Sequence, residues 1–454
     1  MQSLINLDRH YLSQSNSLIE FKSTKIQYQY SNHLSDYNVH QNSLCTGFQI
    51  PYVTIYFYKI NKAIMKQILD LQKLIAFRHT MHQNPEASLK EFQTQKRVRE
   101  FLIGLNVQED VIKVCGTTGL IVDLSGAAEK SGDDRLIAFR ADIDALILNE
   151  ANEHLPYRST NGCAHMCGHD GHTTCLLAFA QIFQHYKDTI PKNKTVRLLF
   201  QPAEEDYGGS VDMIRDGCLD NVQEVYGFHQ WPTAKIGQVW CKEGSMMSQP
   251  IQMQFDFKGK GGHASEPHKF NNPVQCAAEY LYTIHNQLSQ EKGQFTFAWT
   301  CFNGGTAFNV IPDTASVKGM IRSLEAGLGD RLFNDCFSVA EKTCQKYGCS
   351  VKVQRQAENY PLTANHPQEA QHILRLGDKY FGAGNANAGP CPVYASEDFG
   401  NYTLRVPGAF FFLSSGKNDT NNPMLHQSNF DFNDDLIELG AGFWWEIAKD
   451  RLLL

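Results

Sequence analysis

The sequence predicts an α/β fold that is interrupted by a smaller α+β layer of the ferredoxin-like kind. Up to about residue 249, short β-rich runs alternate with segments of helical periodicity, which is typical of a largely parallel sheet covered by helices. After that point the order of elements becomes β-α-β-β-α-β, and helix–strand alternation resumes near residue 361. One discontinuous domain with an insert accounts for both patterns.

The first part of the chain supplies the elements of the larger layer. Apolar residues at helical spacing predict a helix over residues 66–78 and a buried helix over residues 173–183. Another helix is expected to begin at Ser88, because Ser88 and Glu91 have the spacing of a capping box. The predicted strands here are residues 119–124, 136–140, 196–201 and 222–229.

The insert and the closing segment follow the same reasoning. The insert has predicted strands at residues 251–258, 295–302, 314–322 and 350–355, with helices at residues 272–287 and 329–346. The closing segment has predicted helices at residues 367–380 and 434–453 around a buried strand at residues 409–413. The expected division is an N-terminal extension over residues 1–60, the larger domain over 61–249 and 361–454, and the insert over 250–360.

Composition excludes several classes of protein. The 454 residues are 42% hydrophobic and 20% charged, with a net charge of −7 and no run rich in Lys or Arg, so nucleic acid is not an expected partner. The longest apolar run near the start is shorter than the roughly 20 residues that span a bilayer. Residues 1–60 lack the pattern of an export signal or transit peptide, so we expect a cytoplasmic protein.

Cysteine usage supports a reducing compartment. The 13 cysteines are an odd number without the regular spacing of a disulfide scaffold. Most of them are expected to be small buried hydrophobic residues, Cys175, Cys276 and Cys301 among them.

The segment GCAHMCGHDGH, residues 162–172, concentrates potential metal ligands. Its five candidates are His165, Cys167, His169, Asp170 and His172. Because Cys167 and His169 are two residues apart, a regular helix would turn them to different faces, and a loop is needed to bring them together. By itself the cluster is as compatible with a satisfied polar loop as with a metal site.

Acidic and imidazole groups also follow three predicted strands. Asp142 and Asp144 come after the first, Glu204 and Glu205 after the second, and His229 ends the third. A lone carboxylate in such a place is more often a turn or helix cap, but functional residues gather beyond strand ends in parallel sheets. Adjacent glutamates allow one to bind a metal while the other remains free as a base.

Nine motifs in order resemble the M20 metallopeptidase family, in its amidohydrolase branch of hippurate hydrolases, N-acyl-amino-acid amidohydrolases and plant auxin-conjugate hydrolases. They cover the chain from about residue 66 to its C-terminus. The motifs are RHTMHQNPEAS (78–88), RADIDAL (140–146), CGHDGHT (167–173), QPAEE (201–205), FHQWP (228–232), GKGGHASEPH (259–268), FNVIPD (308–313), SEDFG (396–400) and LHQSNFDFND (425–434).

This resemblance implies a discontinuous metallopeptidase catalytic domain that binds two divalent metal ions. Mn or Zn is expected, with Co or Ni as alternatives. Cys167 would bridge the two ions, Glu204 would be the general base and acid, and Asp142 would hold the ring of a ligand. His172 would help to fix the loop, and His165 has no assigned role. The implied metal ligands are Cys167, His169, Glu205, His229 and His426.

The resemblance also implies a homodimer joined through the insert, which acts as a dimerisation or lid domain. His263 in the GGHAS motif would reach the active site of the partner and stabilise the tetrahedral oxyanion. Asn309 would hold the substrate carboxylate or the oxyanion. Two departures from the family pattern are the residues before Cys167 and the Gln427-Ser428 pair after His426, and the second concerns the substrate side.

The expected activity is hydrolysis of the amide bond of N-acyl-amino acids, either hippurate-like or indole-acetyl conjugates. A dipeptidase or carboxypeptidase of the same fold is the nearest alternative. A non-catalytic metal-binding paralogue would have lost a ligand or the base, and none is missing. A thiol redox protein is disfavoured because Cys163 and Cys167 do not form a C-x-x-C pair.

Overall fold

The computed structural model describes residues 67–356, 359–418 and 421–454. The expected N-terminal extension, residues 1–60, lies outside the described residues. The helices, numbered here in chain order, are α1 (Leu71–Gln83), α2 (Phe92–Gly104), α3 (His169–Tyr186), α4 (Ser210–Arg215), α5 (Pro273–Gln290), α6 (Leu328–Tyr347), α7 (Pro367–Phe381), α8 (Gly400–Thr403) and α9 (Asp435–Leu452).

Most strands belong to one of two larger sheets. In chain order they are β1 (Ile112–Cys115), β2 (Gly119–Ser125), β3 (Arg135–Asp142), β4 (Lys194–Gln201), β5 (Glu224–Lys235), β6 (Val239–Trp240), β7 (Gly244–Met247), β8 (Gln249–Lys258), β9 (Gly262–His263), β10 (Phe295–Gly304), β11 (Val310–Ile311), β12 (Thr314–Ser323), β13 (Ser350–Gln356), β14 (Thr363–Asn365), β15 (Ala386–Asn387) and β16 (Gly408–Gly416).

The larger sheet has eight strands in the order β1-β2-β4-β3-β5-β16-β6-β15. Its centre, β4-β3-β5-β16, is parallel, while β1, β2 and the β16–β6 pair are antiparallel. The central strands are buried on both faces, as parallel strands covered by helices must be. The predicted α/β layer is therefore confirmed, with an antiparallel margin that the sequence pattern did not reveal.

Helices cover both faces of this sheet. Alternate residues of β3 show the division: Phe139 packs in the cluster that contains α3 and α9, and Ala138 packs in the cluster that contains Met213 of α4 and Tyr402 of α8. Within the first cluster Trp444 of α9 lies edge-on to Phe139, with ring centroids 5.1 Å apart. The sheet is thus buried between two layers of helices, and the loops at its strand ends lie between these layers.

The second sheet has four antiparallel strands in the order β10-β12-β8-β13. Helices α5 and α6 pack on one another and against it, and they enclose a hydrophobic cluster of their own. Numbered within the segment, the strand order is 2-3-1-4, which is the arrangement of a ferredoxin-like layer and agrees with the predicted order of elements.

Several local predictions were wrong. Ser88 does not cap a helix; it donates to Asp144, and the chain turns through Leu89 at φ 62° before α2 begins at Phe92. The first helix begins at Leu71 because the side chain of Asp70 accepts from the backbone of Lys73. These two differences arise because side-chain hydrogen bonds, rather than apolar spacing, set the helix starts.

Two other predicted boundaries fall short of the observed elements. Helix α3 begins at His169 rather than at residue 173, and β5 continues past His229 to Lys235 because β16 pairs along it. Cys175 and Cys276 are buried as predicted, but Cys301 is exposed, since β10 is an edge strand. Among the described residues, no helix combines the length and apolar character needed to cross a bilayer.

Candidate metal centre

The ligand-rich loop lies at the carboxyl end of the parallel strands. Gly168 has the left-handed φ of 89°, precedes α3 as its N-cap, and lets the chain turn between Cys167 and His169. A Cβ at Gly168 would come within 3.0 Å of the side chain of Gln230, so the turn is also closely packed. The predicted loop between Cys167 and His169 therefore consists of Gly168 alone.

The structure brings together all five predicted metal ligands. Sγ of Cys167 lies 3.2 Å from Nε2 of His229, and Nε2 of His426 lies 3.4 Å from Oε1 of Glu205. Two sets of potential ligand atoms, each within 4.8 Å of one another, share the thiol: Cys167 with His169 and His229, and Cys167 with Glu205 and His426. A shared thiol is the arrangement expected of a bridging ligand between two cations.

The unpaired atoms of this cluster fit a bound cation. Nε2 of His169 and Oε1 of Glu205 are buried and have no hydrogen-bond partner among the described residues, although buried polar atoms are nearly always paired. Burial and the nearby carboxylates, Glu205 first, hold the pKa of Cys167 well above its ordinary value. A thiolate among carboxylates needs a cation beside it, so these residues fit divalent metal.

Hydrogen bonds at the outer ring nitrogens orient both histidines. Nδ1 of His229 donates to the carbonyl of Gln230 at 2.6 Å, and Nδ1 of His169 donates to the carbonyl of Asp144 at 3.1 Å. Because a carbonyl only accepts, each neutral ring carries its proton on Nδ1. The lone pair on each Nε2 therefore faces the cluster.

The ring of His169 is held by Asp144, for which no role of its own was predicted. Oδ1 of Asp144 is 3.2 Å from Nδ1 of His169, and its Oδ2 accepts from the backbone of Glu205 at 3.0 Å and from Ser88 at 2.7 Å. Asp144 thus connects two candidate ligands that are distant in sequence. Its position two residues after Asp142 was the available signal.

Asp142 makes other contacts than those expected for it. It accepts from Nδ1 of His172 at 2.7 Å and from Arg140 at 2.6 Å, and Nε2 of His172 accepts from the backbone of Gln230. Burial opposes the ionised form of Asp142, but its neighbours His169, His172 and Arg140 hold its pKa well below the ordinary value. Asp142 therefore orients His172, while the predicted task of holding a ligand ring falls to Asp144.

A strained turn after β4 leads into two adjacent glutamates that face different groups. Ala203 has a left-handed φ of 56°, uncommon for a residue other than glycine, and its N–H donates to Glu91 at 2.9 Å. Glu205 then faces His426, whereas Glu204 lies close to Glu397 and Asp398. His426 is left-handed as well, at φ 64°. Strained backbone of this kind clusters at functional sites.

Glu204 occupies a setting that favours its protonated form. Its Oε2 is 3.9 Å from Nε2 of His169. Burial, followed by the charges of Glu397, Glu205 and Asp398, holds the pKa of Glu204 well above the ordinary value. A carboxyl group with a raised pKa can take up a proton and release it again near neutral pH.

Arg140 balances the carboxylates around Glu204. This fully buried guanidinium donates to Asp142 at 2.6 Å, Glu397 at 2.8 Å and Asp398 at 3.1 Å. Arg140 and the SEDFG segment belong to the motifs shared with the family, but their roles were not predicted. An arginine at the end of a predicted apolar strand was the available signal, since a buried cation needs such partners.

A second polar network lies beneath the ligand loop and was also missed. His82 bridges Asp170 at 2.9 Å and Glu150 at 3.1 Å, and Arg78 contacts Asp170 at 3.4 Å. Asp170 thereby anchors the first turn of α3 and is not part of the metal cluster. His165 is buried nearby, and within the described ranges neither of its ring nitrogens has a hydrogen-bond partner. Burial lowers its pKa to about 4.

His263 and Asn309 lie together on the insert. The two-residue strands β9 and β11 pair, with Val310 opposite His263, and the backbone of Ala264 donates to the carbonyl of Asn309. Nδ1 of His263 accepts from the backbone N–H of Ser265 at 3.2 Å, so the neutral ring carries its proton on Nε2, and the side chain is exposed. Within the described residues of one chain, neither side chain contacts the Cys167 cluster.

Proteins with assigned functions are similar to this chain over most of its length. The hippurate hydrolase of Campylobacter jejuni is 32% identical over 398 residues, covering 86% of this chain and 99% of that protein. Thermostable carboxypeptidase 2 of Saccharolobus solfataricus is 31% identical over 386 residues, covering 83% of this chain and 94% of that protein.

Among solved structures, a dinuclear metal-binding M20 peptidase of Bacillus subtilis superposes with a TM-score of 0.71 at 25% identity, covering 84% of this chain and 98% of that one. The profile of peptidase family M20/M25/M40 matches residues 138–450, more than half of the sequence. Joined to the buried cluster of candidate ligands, these matches show that the chain belongs to peptidase family M20/M25/M40 and is a metal-dependent amide hydrolase.

Proposed function

We propose that the protein is a binuclear metal-dependent amidohydrolase that cleaves N-acyl-amino acids to a carboxylic acid and an amino acid. The observation that carries the proposal is the shared thiol of Cys167 between two sets of ligands, with Glu204 beside them. A single cation site would not need both sets. A carboxyl group with a raised pKa next to such a pair is the expected general base and acid.

The proposed ligands are Cys167, His169, Glu205, His229 and His426. Thiolate, imidazole and carboxylate together suit Zn or Mn first, and Co or Ni as alternatives. Bound metal at this position would polarise the amide carbonyl and lower the pKa of water. The side chain of His426 is 55% exposed, so we place the substrate entrance on its side of the cluster.

Glu204 performs the proton transfers in this proposal. Its carboxylate removes a proton from the attacking water and later delivers that proton to the leaving nitrogen, which becomes the free amine of the amino acid. Arg140 holds Glu397 and Asp398 in place beside Glu204, and its charge partly offsets the rise in the pKa of Glu204 that burial and the neighbouring carboxylates cause. Asp144 maintains His169 and the backbone of Glu205 in one orientation during these steps.

The oxyanion is stabilised by His263 of a second subunit. Three observations support this: the exposed side chain, the protonated Nε2, and the absence of contact with the cluster in its own chain among the described residues. Homodimerisation through the insert, residues 250–360, follows from the same proposal. Asn309, adjacent to His263, is proposed to hold the substrate carboxylate or the oxyanion.

The substrate class rests on the relatives. Hippurate is an N-acyl-amino acid, and the relative named for its hydrolysis matches nearly its full length. Carboxypeptidase activity is the second candidate, favoured by the relative of that name. Both reactions need the same metal centre, so the difference lies in the acyl-side pocket. We also propose a reducing, cytoplasmic location, because every cysteine among the described residues is free.

The test is amino-acid release from a panel of N-benzoylglycine, N-acetylated amino acids, indole-acetyl amino acids and plain dipeptides. Chelated protein and protein reloaded with Mn or Zn are compared, with Glu204→Ala as the matched variant. We expect metal-dependent turnover of an acylated amino acid, reduced at least about 100-fold in Glu204→Ala. Turnover of dipeptides alone would favour the second candidate, and equal turnover by Glu204→Ala would contradict the assigned base.

A further inference from the structure

Three cysteines meet where the two helices of the insert pack. Sγ of Cys276 on α5 lies 3.8 Å from Sγ of Cys344 on α6. Cys349, just after α6, packs against the same hydrophobic cluster, which contains Cys276 and Cys344. Three thiols are therefore grouped at this end of the insert.

The local backbone accounts for this meeting. Gly348 ends α6 in the left-handed conformation at φ 64°, and the N–H of Cys349 turns back to the carbonyl of Cys344 at 2.9 Å. Asn272 caps α5 and starts the helix four residues before Cys276. The end of α6 is tied to this start, because Asn271 donates to the carbonyl of Gly348 at 2.6 Å.

Solvent access differs among the three thiols. Cys276 and Cys344 are buried, whereas Cys349 is partly exposed. A small oxidant in solution can therefore reach Cys349 first, with Cys276 behind it as a second thiol. The core also contains a neighbouring pair, Cys115 and Cys218, but both of those are buried and lack an exposed third cysteine.

We propose that Cys349 and Cys276 form a redox-sensitive dithiol, in which Cys349 is oxidised by a peroxide and Cys276 closes a disulfide with it. The proposal concerns the insert alone and does not depend on the proposed function. The bond would join the start of α5 to the end of α6. It would lie beside Lys260 and Asn271, the paired residues that close the segment carrying His263.

The chemistry balances with hydrogen peroxide as the oxidant. The sulfur of Cys349 attacks one peroxide oxygen, the O–O bond breaks, and a sulfenic acid and one water form. The sulfur of Cys276 then attacks the sulfenic sulfur, the S–O bond breaks, and a second water leaves with the thiol proton. Two thiols lose two electrons in total, and the peroxide gains them.

The test uses the metal-loaded, full-length protein before and after hydrogen peroxide, followed by alkylation, trypsin and mass spectrometry. Tryptic cleavage separates the three cysteines into residues 270–292, 343–346 and 347–352, so the pairing is read directly. We expect a linked pair of peptides 270–292 and 347–352, 2 Da lighter than their sum and released by a dithiol reductant.

Two variants sharpen the result. Cys276→Ala should abolish the linked pair and leave Cys349 as sulfenic or sulfinic acid, while Cys301→Ala, an exposed cysteine on β10, should leave the link intact. A link from residues 270–292 to residues 343–346 with Cys349 still free would overturn Cys349 as the thiol oxidised first. Free Cys276 after complete oxidation of Cys349 would overturn the dithiol itself.

Discussion

Nε2 of His172 accepts a 2.9 Å hydrogen bond from the backbone N–H of Gln230, and Nδ1 of the same ring donates to Asp142 at 2.7 Å. Both ring nitrogens are thus engaged with protein atoms. Although His172 lies in the ligand-rich loop, it has no lone pair left for a metal. His169 and His229 each retain one, because their outer nitrogens bond to carbonyls.

His172→Gln is therefore expected to retain the metal content of the parent protein and to lower its free energy of unfolding by roughly 1–3 kcal/mol, because Asp142 and Gln230 lose buried partners. His229→Gln is the matched variant and should lose metal instead. Metal per chain by elemental analysis and urea denaturation distinguish the two effects. Loss of metal from His172→Gln alone would reverse the assignment.

Asp144→Asn is expected to weaken metal binding by roughly 10–100-fold, because the carboxylate that orients His169 and the backbone of Glu205 is replaced by a neutral amide. Ser88→Ala is the control, since it removes only the third partner of Asp144. Competition between protein and a chelator of known affinity measures the change. Equal affinities for Asp144→Asn and the parent would show that this carboxylate does not position the ligands.

The sequence indicated the candidate metal ligands but not the carboxylates that orient the histidines. Residue types in a loop and at strand ends made Cys167, His169 and Glu205 candidates, and the family resemblance selected them as ligands. The partners of Asp142 and Asp144 could not be predicted. The two carboxylates are only two residues apart in sequence, and the different histidines that they contact become apparent only in the folded structure. The capping box at Ser88 failed for a related reason, since its hydroxyl had a distant carboxylate as a better partner.

His82 gives the protein a pH-dependent stability. Burial lowers the pKa of His82, but hydrogen bonds to Asp170 and Glu150 outweigh it and raise the pKa from 6.5 to about 9. The folded state therefore binds this proton more tightly than the unfolded chain. The stabilisation is fully present below pH 6.5 and is lost as the pH rises through about 9.

We expect the difference in free energy of unfolding between the parent and His82→Gln to shrink by on the order of 3 kcal/mol between pH 6.5 and 9. Urea denaturation at several pH values, in one metal state, measures it. His154→Gln, at an exposed histidine, is the control and should track the parent. A difference that stays constant across this range would mean that His82 binds no additional proton in the fold.

Gly171 is required in the first turn of α3 for lack of space. A Cβ there would lie 2.2 Å from the ring of Phe432, which is buried. Gly171→Ala should lower the free energy of unfolding by roughly 1–3 kcal/mol through overpacking. In the Phe432→Ala background the same substitution should cost less, because the ring is gone. A double-mutant cycle by urea denaturation tests this, and strictly additive changes would place the strain elsewhere.

Subunit mixing tests where His263 acts. Glu204→Ala and His263→Ala proteins should each be nearly inactive. If His263 serves the partner, each mixed dimer contains one site with both residues intact, and random exchange restores roughly a quarter of the parent activity. Denaturing and refolding the two variants together, then assaying, gives the result. No recovery from dimers shown to have mixed would place His263 in its own subunit's site.

The long central strands of the fold could be predicted from the sequence, but its short strands could not. Residues in β3 and β4 form apolar runs that only a buried strand explains, and the order of elements in the insert matched the observed sheet. Strands of two residues, such as β6, β9 and β15, carry no periodicity and exist only because a neighbouring strand pairs with them. Arg140 and His82 were likewise unassigned, because their partners come from distant segments.

The left-handed turn at Ala203 bears on any attempt to make this protein more heat-resistant. Glycine adopts such a φ without steric cost, so Ala203→Gly relieves strain in the folded protein. Yet the same freedom would widen the range of directions open to Glu204, the group that transfers protons. The strained backbone at Ala203 thus restricts the direction of the Glu204 side chain. We expect a substitution that stabilises the protein at residue 203 to lower its catalytic activity.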